Sequence, residues 1–297
     1  MKRTILFRGT GTAIVTPFTS TGEVDITSLN KLVNRQIAGG VEAIIPAGTT
    51  GESVTLGENE HLQVVRAVVE CTRGRAKVIA GAGSNSTSKT ITIARRVVAE
   101  GADAILSVTP YYNKPTQEGL FQHYAAIASA IDAPIVLYNV PGRTACTMDV
   151  STMLRLADEF PHIAGVKEAS GNFTNIMEIL RRRPKGFGVW SGDDALTLPM
   201  TALGADGVIS VVSNEVPKEF SKMVRLCLDG RFSDALKIHN ALLDLMQFNF
   251  VESSPIPVKA VLAELGLIGE NYRLPLVKMN DKHRPTMKKI IKELRIR

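Results

Sequence analysis

The sequence is poor in cysteine, in aromatic residues and in long apolar runs. Cysteine occurs only three times in 297 residues, at Cys71, Cys146 and Cys227, and no two of these form a CxxC pair. This usage argues against a disulfide framework and against a cysteine zinc site, and it indicates a reducing compartment. Residues 1–8 hold an apolar run of only three residues, so we expect no signal peptide there. No uncharged apolar stretch is long enough to cross a bilayer, and we expect a cytoplasmic protein.

Motifs for metals, nucleotides and serine nucleophiles are also absent. The five histidines are scattered without ligand spacing, which argues against a metal site. The segment 48–53 lacks the lysine of a phosphate-binding P-loop, and the Gly-Ala-Gly at 81–83 does not continue to GxGxxG. No GxSxG nucleophile elbow occurs. We therefore expect neither a metal nor a cofactor.

The formal net charge of +6 is concentrated in the C-terminal tail. Residues 278–297 hold eight Lys/Arg against two acidic residues, so the rest of the chain is neutral overall. A nucleic-acid-binding protein would carry a basic stripe with groups that read or stack on bases. The tail instead predicts a helix at 285–296 with one charged face. We expect no nucleic acid and no membrane among the partners.

One pattern recurs eight times: a short apolar run, a polar or glycine-rich turn, and a helical segment. The runs are rich in Val and Ile and flanked by Gly, which favours buried parallel strands. Eight βα units of about 30 residues each close into a (β/α)8 TIM barrel. An open doubly wound sheet usually has fewer strands and a phosphate turn after the first one. The predicted strands are residues 11–18, 41–48, 76–83, 102–109, 133–140, 163–169, 186–191 and 207–212.

Helical spacing fills the intervals between these runs and continues after residue 214. Residues 25–38 and 86–100 each place apolar side chains on one face, and a glycine follows each of them. The segment beyond the eighth strand predicts a C-terminal helical extension. Its helices are predicted at residues 217–228, 232–250, 255–265 and 285–296. We therefore predict a barrel over residues 1–230 and a helical segment, 231–297, packed on it.

In a barrel of this kind the loops at the carboxyl ends of the strands carry function. Only a few segments at these positions contain reactive side chains. They are 48–52 (GTTGE), 110–113 (PYYN), 138–144 (YNVPGRT), 166–171 (VKEASG), 191–194 (SGDD) and 207–210 (GVIS).

Lys167 is the most informative residue of these segments because it lies within an apolar strand. Desolvation disfavours a charged amine, so a lysine there must be either paired or partly neutral. A neutral amine is what Schiff-base formation requires. Glu168 is adjacent and points to the opposite face of the strand, which makes it a poor partner. An ion pair with another carboxylate at the barrel rim is the structural alternative to catalysis.

Hydroxyl groups and one arginine lie at the same end of the barrel. Tyr138, Tyr112, Thr49 and Thr50 would provide a proton relay if they converge on the lysine. Tyrosines at strand ends are, however, often merely packed. Arg143 could hold a carboxylate in a bidentate fork, although a surface salt bridge is the more common use of a loop arginine.

Taken together, GTTGE at 48–52, YNVP at 138–141 and VKEA at 166–169 resemble the dihydrodipicolinate synthase / N-acetylneuraminate lyase family of pyruvate-dependent class I aldolases. The resemblance extends from Gly11 through the C-terminal helices, and it is closest to the synthase branch. It implies a (β/α)8 barrel that condenses pyruvate with L-aspartate 4-semialdehyde to 4-hydroxy-tetrahydrodipicolinate, without an external cofactor. That reaction belongs to lysine and diaminopimelate biosynthesis.

The resemblance also implies a role for each catalytic residue. Lys167 would form the Schiff base with pyruvate. Tyr138 would be the general acid/base, and Thr50 would link it to Tyr112 of an adjoining subunit. The family is commonly a homotetramer, a dimer of dimers, so a homo-oligomer is expected here.

Substrate binding follows from the same resemblance. Thr49 and Thr50 would hold the pyruvate carboxylate, largely through backbone N–H groups. Arg143 would bind the carboxylate of L-aspartate 4-semialdehyde. Gly192 and Ile209 would line the pocket through their backbone carbonyls.

One departure from the family pattern concerns regulation. In lysine-inhibited members, a pocket at the subunit interface is expected to carry a histidine early in the second helix and a glutamate early in the third. This chain has Glu58 and Lys89 there, and Lys89 would repel the lysine ammonium. We therefore expect weak or absent feedback inhibition. Four other positions match the pattern: Ser53, His61, Asn85 and Tyr111.

Two other interpretations stay open. A lyase of the same family that acts on N-acetylneuraminate or a 2-keto-3-deoxy sugar acid would share the lysine and the tyrosine. Such lyases typically lack the Gly-Arg-Thr that stands at 142–144 here. A non-catalytic paralogue that binds a keto acid would need the pocket but not the proton relay.

Overall fold

A closed barrel of eight parallel strands forms the centre of the molecule. The computed structural model describes residues 3–296. Each strand pairs with the next one along the chain, and the eighth pairs with the first, so the prediction of a (β/α)8 barrel is confirmed. The strands are β1 (Gly9–Ala13), β2 (Ala43–Ile45), β3 (Lys77–Gly81), β4 (Ala104–Val108), β5 (Ile135–Asn139), β6 (Ile163–Glu168), β7 (Gly188–Ser191) and β8 (Gly207–Ser210).

Helices surround the strands and continue beyond the last one. The predicted C-terminal helices agree with the observed ones to within two residues at each end. Within residues 3–296 no helix combines the length and the apolar character needed to cross a membrane. The helices are α1 (Ile26–Ala38), α2 (Glu58–Thr72), α3 (Thr87–Ala99), α4 (Gln117–Ala130), α5 (Pro141–Thr144), α6 (Val150–Glu159), α7 (Phe173–Arg182), α8 (Thr197–Ala202), α9 (Pro217–Leu228), α10 (Phe232–Phe248), α11 (Ile256–Glu264) and α12 (Arg284–Leu294).

Two of the predicted strands extend three or more residues too far at their carboxyl ends. The run 11–18 leaves the sheet after Ala13, because the N–H of Val15 donates to the Asn214 side chain at 3.2 Å rather than to a strand carbonyl. The run 41–48 leaves it after Ile45. Pro46 has no N–H for the ladder, and Ala47 turns the chain with φ of 52°.

Aromatic side chains fill the amino-terminal end of the barrel. The rings of Phe7 and Trp190 stack with centroids 4.9 Å apart, and Trp190 Nε1 donates to the Phe7 carbonyl at 3.2 Å. Two glycines make room for the indole. A Cβ at Gly188 would lie 2.3 Å from it, and one at Gly165 would lie 2.7 Å from it. The barrel is therefore closed at its amino-terminal end, and side chains that react with a small molecule must lie at its carboxyl end.

The C-terminal helices share apolar cores with the barrel. Phe220 of α9 packs in one cluster with Leu245 of α10 and Val261 of α11. Val258 of α11 belongs to a second cluster together with Leu29 of α1. Residues of the C-terminal helices thus share apolar clusters with α1 and α9, while the division of the chain at residue 230, with 231–297 as a segment packed on the barrel, stays a prediction.

Candidate active site

Lys167 and Tyr138 lie side by side inside the barrel. Tyr138 of β5 pairs in register with Lys167 of β6. Both residues are buried, with exposed fractions of 6% for Tyr138 and 5% for Lys167. Lys167 Nζ lies 4.3 Å from the centroid of the tyrosine ring. The structure therefore brings together the two residues that carry the predicted chemistry.

The structural alternative for Lys167, an ion pair at the rim, is not observed. Within residues 3–296 no carboxylate oxygen lies within 4.0 Å of Lys167 Nζ. Glu168 faces the other side of the strand, as expected. Its carboxylate accepts hydrogen bonds from Asn139 Nδ2 at 2.9 Å and from the Ser170 N–H at 2.7 Å. The amine of Lys167 is thus held among the barrel side chains without a counter-ion.

The loop after β2 presents two adjacent backbone N–H groups. Its turn is closed by the N–H of Gly51, which donates to the Gly48 carbonyl at 3.1 Å, and by that of Glu52, which donates to the Thr49 carbonyl at 3.0 Å. In the part of the chain that the structure describes, the N–H groups of Thr49 and Thr50 have no acceptor. A pair of such donors is suited to a carboxylate.

The predicted proton relay is not assembled within one chain. Thr50 is buried, but among the described residues no hydrogen bond joins it to Tyr138 or to Tyr112. Tyr112 follows β4 with φ of 74° and is 90% exposed. Its ring therefore does not reach its own barrel. This arrangement is consistent with its expected use by an adjoining subunit, which stays a prediction.

Arg143 lies just beyond Tyr138, on the single-turn helix α5. The side chain is exposed, and its Nη2 donates to the Ser254 carbonyl at 3.3 Å. Within residues 3–296 no carboxylate lies within 4.0 Å of its guanidinium. The surface salt bridge considered for this residue is thus not formed, and the fork is available to an acidic substrate.

Gly192 and Ile209 complete the residues predicted for the pocket. Ile209 is 1% exposed and packs in the same barrel cluster as Tyr138. The N–H of Gly192 donates to the Glu168 carbonyl at 2.7 Å, and a Cβ at Gly192 would lie 2.5 Å from the Cβ of Ala169. Glycine therefore permits the close approach of the ends of β6 and β7. The use of the two carbonyls in substrate binding stays a prediction.

Comparison with known proteins decides the family. The Dihydrodipicolinate synthetase family model matches residues 6–294. The chain belongs to this family. It is 52% identical to the 4-hydroxy-tetrahydrodipicolinate synthase of Koribacter versatilis, over 96% of this chain and 95% of that one. It is also 52% identical to the synthase of Chloroherpeton thalassium, over 92% of this chain and 90% of that one.

Solved structures of the family have the same fold. The dihydrodipicolinate synthase from Aquifex aeolicus superimposes with a TM-score of 0.96 at 43% identity, covering 98% of this chain and 99% of that one. The enzyme from Acinetobacter baumannii, solved as a complex with pyruvate, superimposes with a TM-score of 0.96 at 42% identity, covering 98% and 100%. The resemblance drawn from the sequence motifs is confirmed.

A cavity of about 620 Å³ is lined both by residues of the barrel mouth and by residues expected to form a lysine pocket. Thr49 and Tyr138 line its inner part. Five of the six residues expected for the inhibitor pocket line its outer part: Ser53, Glu58, His61, Lys89 and Tyr111. The sixth, Asn85, is not among the lining residues, and its carbonyl accepts a hydrogen bond from Asn113 Nδ2 at 2.9 Å.

The charges in the outer part of this cavity differ from those expected of lysine-inhibited members. Glu58 is engaged in an ion pair with Arg96 of α3. Lys89 is exposed and has no carboxylate within 4.0 Å among the described residues. His61 Nε2 bonds the Gly81 carbonyl at 2.8 Å, and burial lowers the pKa of this histidine. The pocket therefore presents an uncompensated cation.

The sequence reasoning missed a second buried lysine. Lys259 of α11 is fully buried, and its Nζ lies 2.5 Å from Glu52 Oε1. Burial lowers the pKa of Lys259, and the Glu52 carboxylate opposes this. The available signal was the same as for Lys167, namely one cation in an otherwise apolar run, at 255–263.

Proposed function

We propose that this member of the dihydrodipicolinate synthetase family is a 4-hydroxy-tetrahydrodipicolinate synthase. It condenses pyruvate with L-aspartate 4-semialdehyde through a Schiff base on Lys167. The observation that carries the proposal is the Lys167 amine beside Tyr138 within the closed barrel, with no carboxylate within 4.0 Å among the described residues. The motifs, the family match and the relatives of the same name support it.

The reaction begins with attack of the Lys167 amine on the keto carbon of pyruvate, and water leaves as the imine forms. The protonated imine withdraws electrons, so the methyl group loses a proton near neutral pH to give an enamine. Tyr138 transfers protons in these steps, with Thr50 and a second subunit's copy of Tyr112 as the relay. The enamine carbon then attacks the aldehyde of the second substrate.

The second substrate's own amine ends the reaction. It displaces Lys167 from the imine carbon, which closes the ring of the product and restores the free lysine. Thr49 and Thr50 hold the pyruvate carboxylate through their N–H groups, and the Arg143 guanidinium binds the carboxylate of L-aspartate 4-semialdehyde in a bidentate fork. Gly192 and Ile209 line the pocket.

The exposure of Tyr112 supports a dimer as the smallest active unit. A side chain that is 90% exposed in one chain would be covered, and would reach a relay, in an assembly with a second copy. We propose a homotetramer made of two such dimers, with no nucleic-acid or membrane partner. We further propose a cytoplasmic enzyme, on the basis of its cysteine usage.

The test is pyruvate-dependent consumption of L-aspartate 4-semialdehyde, coupled to the reductase that uses the product. We expect turnover in the wild-type protein and a loss of at least about 10⁴-fold in Lys167→Ala, because no other group forms the imine. Borohydride with pyruvate should add mass to the wild-type chain and not to Lys167→Ala. Surviving turnover in the variant would contradict the role of Lys167. Release of pyruvate from a 2-keto-3-deoxy sugar acid, without use of the semialdehyde, would indicate the lyase instead.

A further inference from the structure

The ion pair of Lys259 with Glu52 joins the C-terminal segment to the loop after β2. Both side chains are excluded from solvent, with exposed fractions of 0% and 1%. Lys259 Nζ also donates to the Thr16 carbonyl at 3.1 Å and lies 4.4 Å from the centroid of the Phe18 ring. The ammonium is thus fixed from several directions by groups of the β1 and β2 loops.

Glu52 is the last residue of the GTTGE loop, and its backbone is in a conformation that disfavours an L side chain. Its φ is 55°, in the left-handed region where residues other than glycine are uncommon. Such a conformation persists where surrounding contacts determine it. Here the buried carboxylate is held by Lys259, and the Thr16 hydroxyl donates to the Gly51 carbonyl at 2.7 Å. The end of the loop is therefore fixed two residues after Thr50.

Stability alone does not account for a charged pair at this place. Taking two charges out of water costs free energy, and apolar residues of similar volume often give equal or greater stability to the fold. A charged pair adds a defined hydrogen-bond geometry, because the ammonium must lie where both the Glu52 carboxylate and the Thr16 carbonyl accept from it. The pair therefore defines a position for Glu52 that apolar packing would leave variable.

We propose that Lys259, acting through Glu52, is a positioning residue that holds the Thr49 and Thr50 N–H groups in the geometry that binds the pyruvate carboxylate. The C-terminal helical segment would then help to position the pyruvate-binding loop, in addition to packing on the barrel. This inference rests on the proposed function, because it takes pyruvate as the ligand of the loop.

The decisive variant is the double replacement Glu52→Gln with Lys259→Met. It removes both charges at once while retaining side-chain length, so neither partner is left as a buried unpaired charge. We expect the thermal midpoint to stay within about 5 °C of wild type. We expect the KM for pyruvate to rise about tenfold or more, with a smaller change in kcat at saturating pyruvate. The pyruvate concentration needed for half-maximal borohydride trapping on Lys167 should rise by the same factor.

A matched control lies at the opposite end of the barrel. Arg183 forms an ion pair with the buried carboxylate of Asp206, just before β8. The double replacement Arg183→Met with Asp206→Asn removes a partly buried ion pair far from the loop. We expect its KM for pyruvate to equal that of the wild type.

The outcomes separate the inference from the function it rests on. A double variant that folds and traps pyruvate at wild-type concentrations would overturn the inference alone. A wild-type protein that traps no pyruvate would overturn the proposed function and the inference with it. If the double variant does not fold, Lys259→Met alone replaces it in the test, because it removes the donor that holds Glu52 and the buried carboxyl can take up a proton. An unchanged KM in Lys259→Met would then overturn the inference.

Discussion

At the scale of single residues, the two buried lysines have different environments, and these environments suit them to different roles. The Lys167 amine lies against the Tyr138 ring with no carboxylate within 4.0 Å among the described residues. The Lys259 amine is held by Glu52. An amine tied to a carboxylate is a poor nucleophile, because the ion pair favours its protonated form. Only the lysine of β6 is placed to attack a carbonyl.

A buried carboxyl group gives the fold a pH dependence that is independent of catalysis. Asp194 follows β7, and its Oδ2 accepts from the N–H groups of Val211 and Val212 at 3.0 and 2.8 Å. Burial raises the pKa of Asp194 from 3.8 to about 6. Because the folded pKa is the higher one, its contribution to stability is complete below pH 3.8 and is lost as the pH rises through about 6.

We therefore expect Asp194→Asn to stabilise the protein at pH 8. The amide keeps an acceptor oxygen for the two N–H groups and cannot ionise. The thermal midpoint should rise by roughly 3 °C or more at pH 8 and change little near pH 4. Melting curves of both proteins across this pH range measure the effect. A lower midpoint for the variant at pH 8 would mean that the charged carboxylate stabilises the fold.

At the scale of elements, our prediction of weak inhibition by lysine rests on helix α3. Lys89 lies in the first turn of α3. Glu58 of α2, the other residue that differs from the pattern of lysine-inhibited members, already forms an ion pair with Arg96. An incoming lysine would therefore meet a like charge and an engaged carboxylate.

We expect millimolar lysine to leave the rate of the wild-type enzyme unchanged within twofold. Replacement of Lys89 by Glu together with Glu58→His introduces the residues expected of inhibited members, and it should produce measurable inhibition. Lys89→Ala is the matched control, since it removes the cation without adding the carboxylate. Titration of the coupled assay with lysine measures all three proteins. A micromolar inhibition constant for the wild type would refute the expectation.

The strands and Lys167 have local sequence signals, whereas the strand ends and the Lys259–Glu52 pair depend on distant residues. The strands could be predicted because apolar runs with flanking glycines repeat eight times, and Lys167 could be predicted because it interrupts one of them. The strand ends could not, because the N–H of Val15 meets an acceptor 199 residues away. For the same reason the pairing of Lys259 with Glu52, 207 residues apart, gave no local signal. The exposure of Tyr112 likewise depends on a loop conformation that composition does not reveal.

At the scale of the whole molecule, the proposed relay through the exposed Tyr112 would link catalysis to assembly. Tyr112→Phe removes only the hydroxyl of an exposed side chain. We expect kcat to fall about 10²-fold, with little change in the KM for pyruvate. The folded chain should be unaffected, because the ring makes few contacts within it.

A mixing experiment distinguishes a relay between subunits from one within a chain. Lys167→Ala and Tyr112→Phe subunits should each be nearly inactive alone. In a hybrid dimer the Tyr112→Phe subunit keeps its lysine and receives an intact Tyr112 from the other chain. Co-expressed or exchanged mixtures should therefore recover a share of wild-type activity. No recovery, with hybrids confirmed by mass, would place the hydroxyl in its own chain.

The aromatic stack at the closed end of the barrel has an optical consequence. Trp190 is the only tryptophan of the chain, it is fully buried, and its neighbour in register on β6 is Lys167. All indole fluorescence of the protein therefore originates from one dry site in the barrel wall. Its emission therefore reports, without a label, on the packing of Trp190 against Phe7 at the amino-terminal end of the barrel.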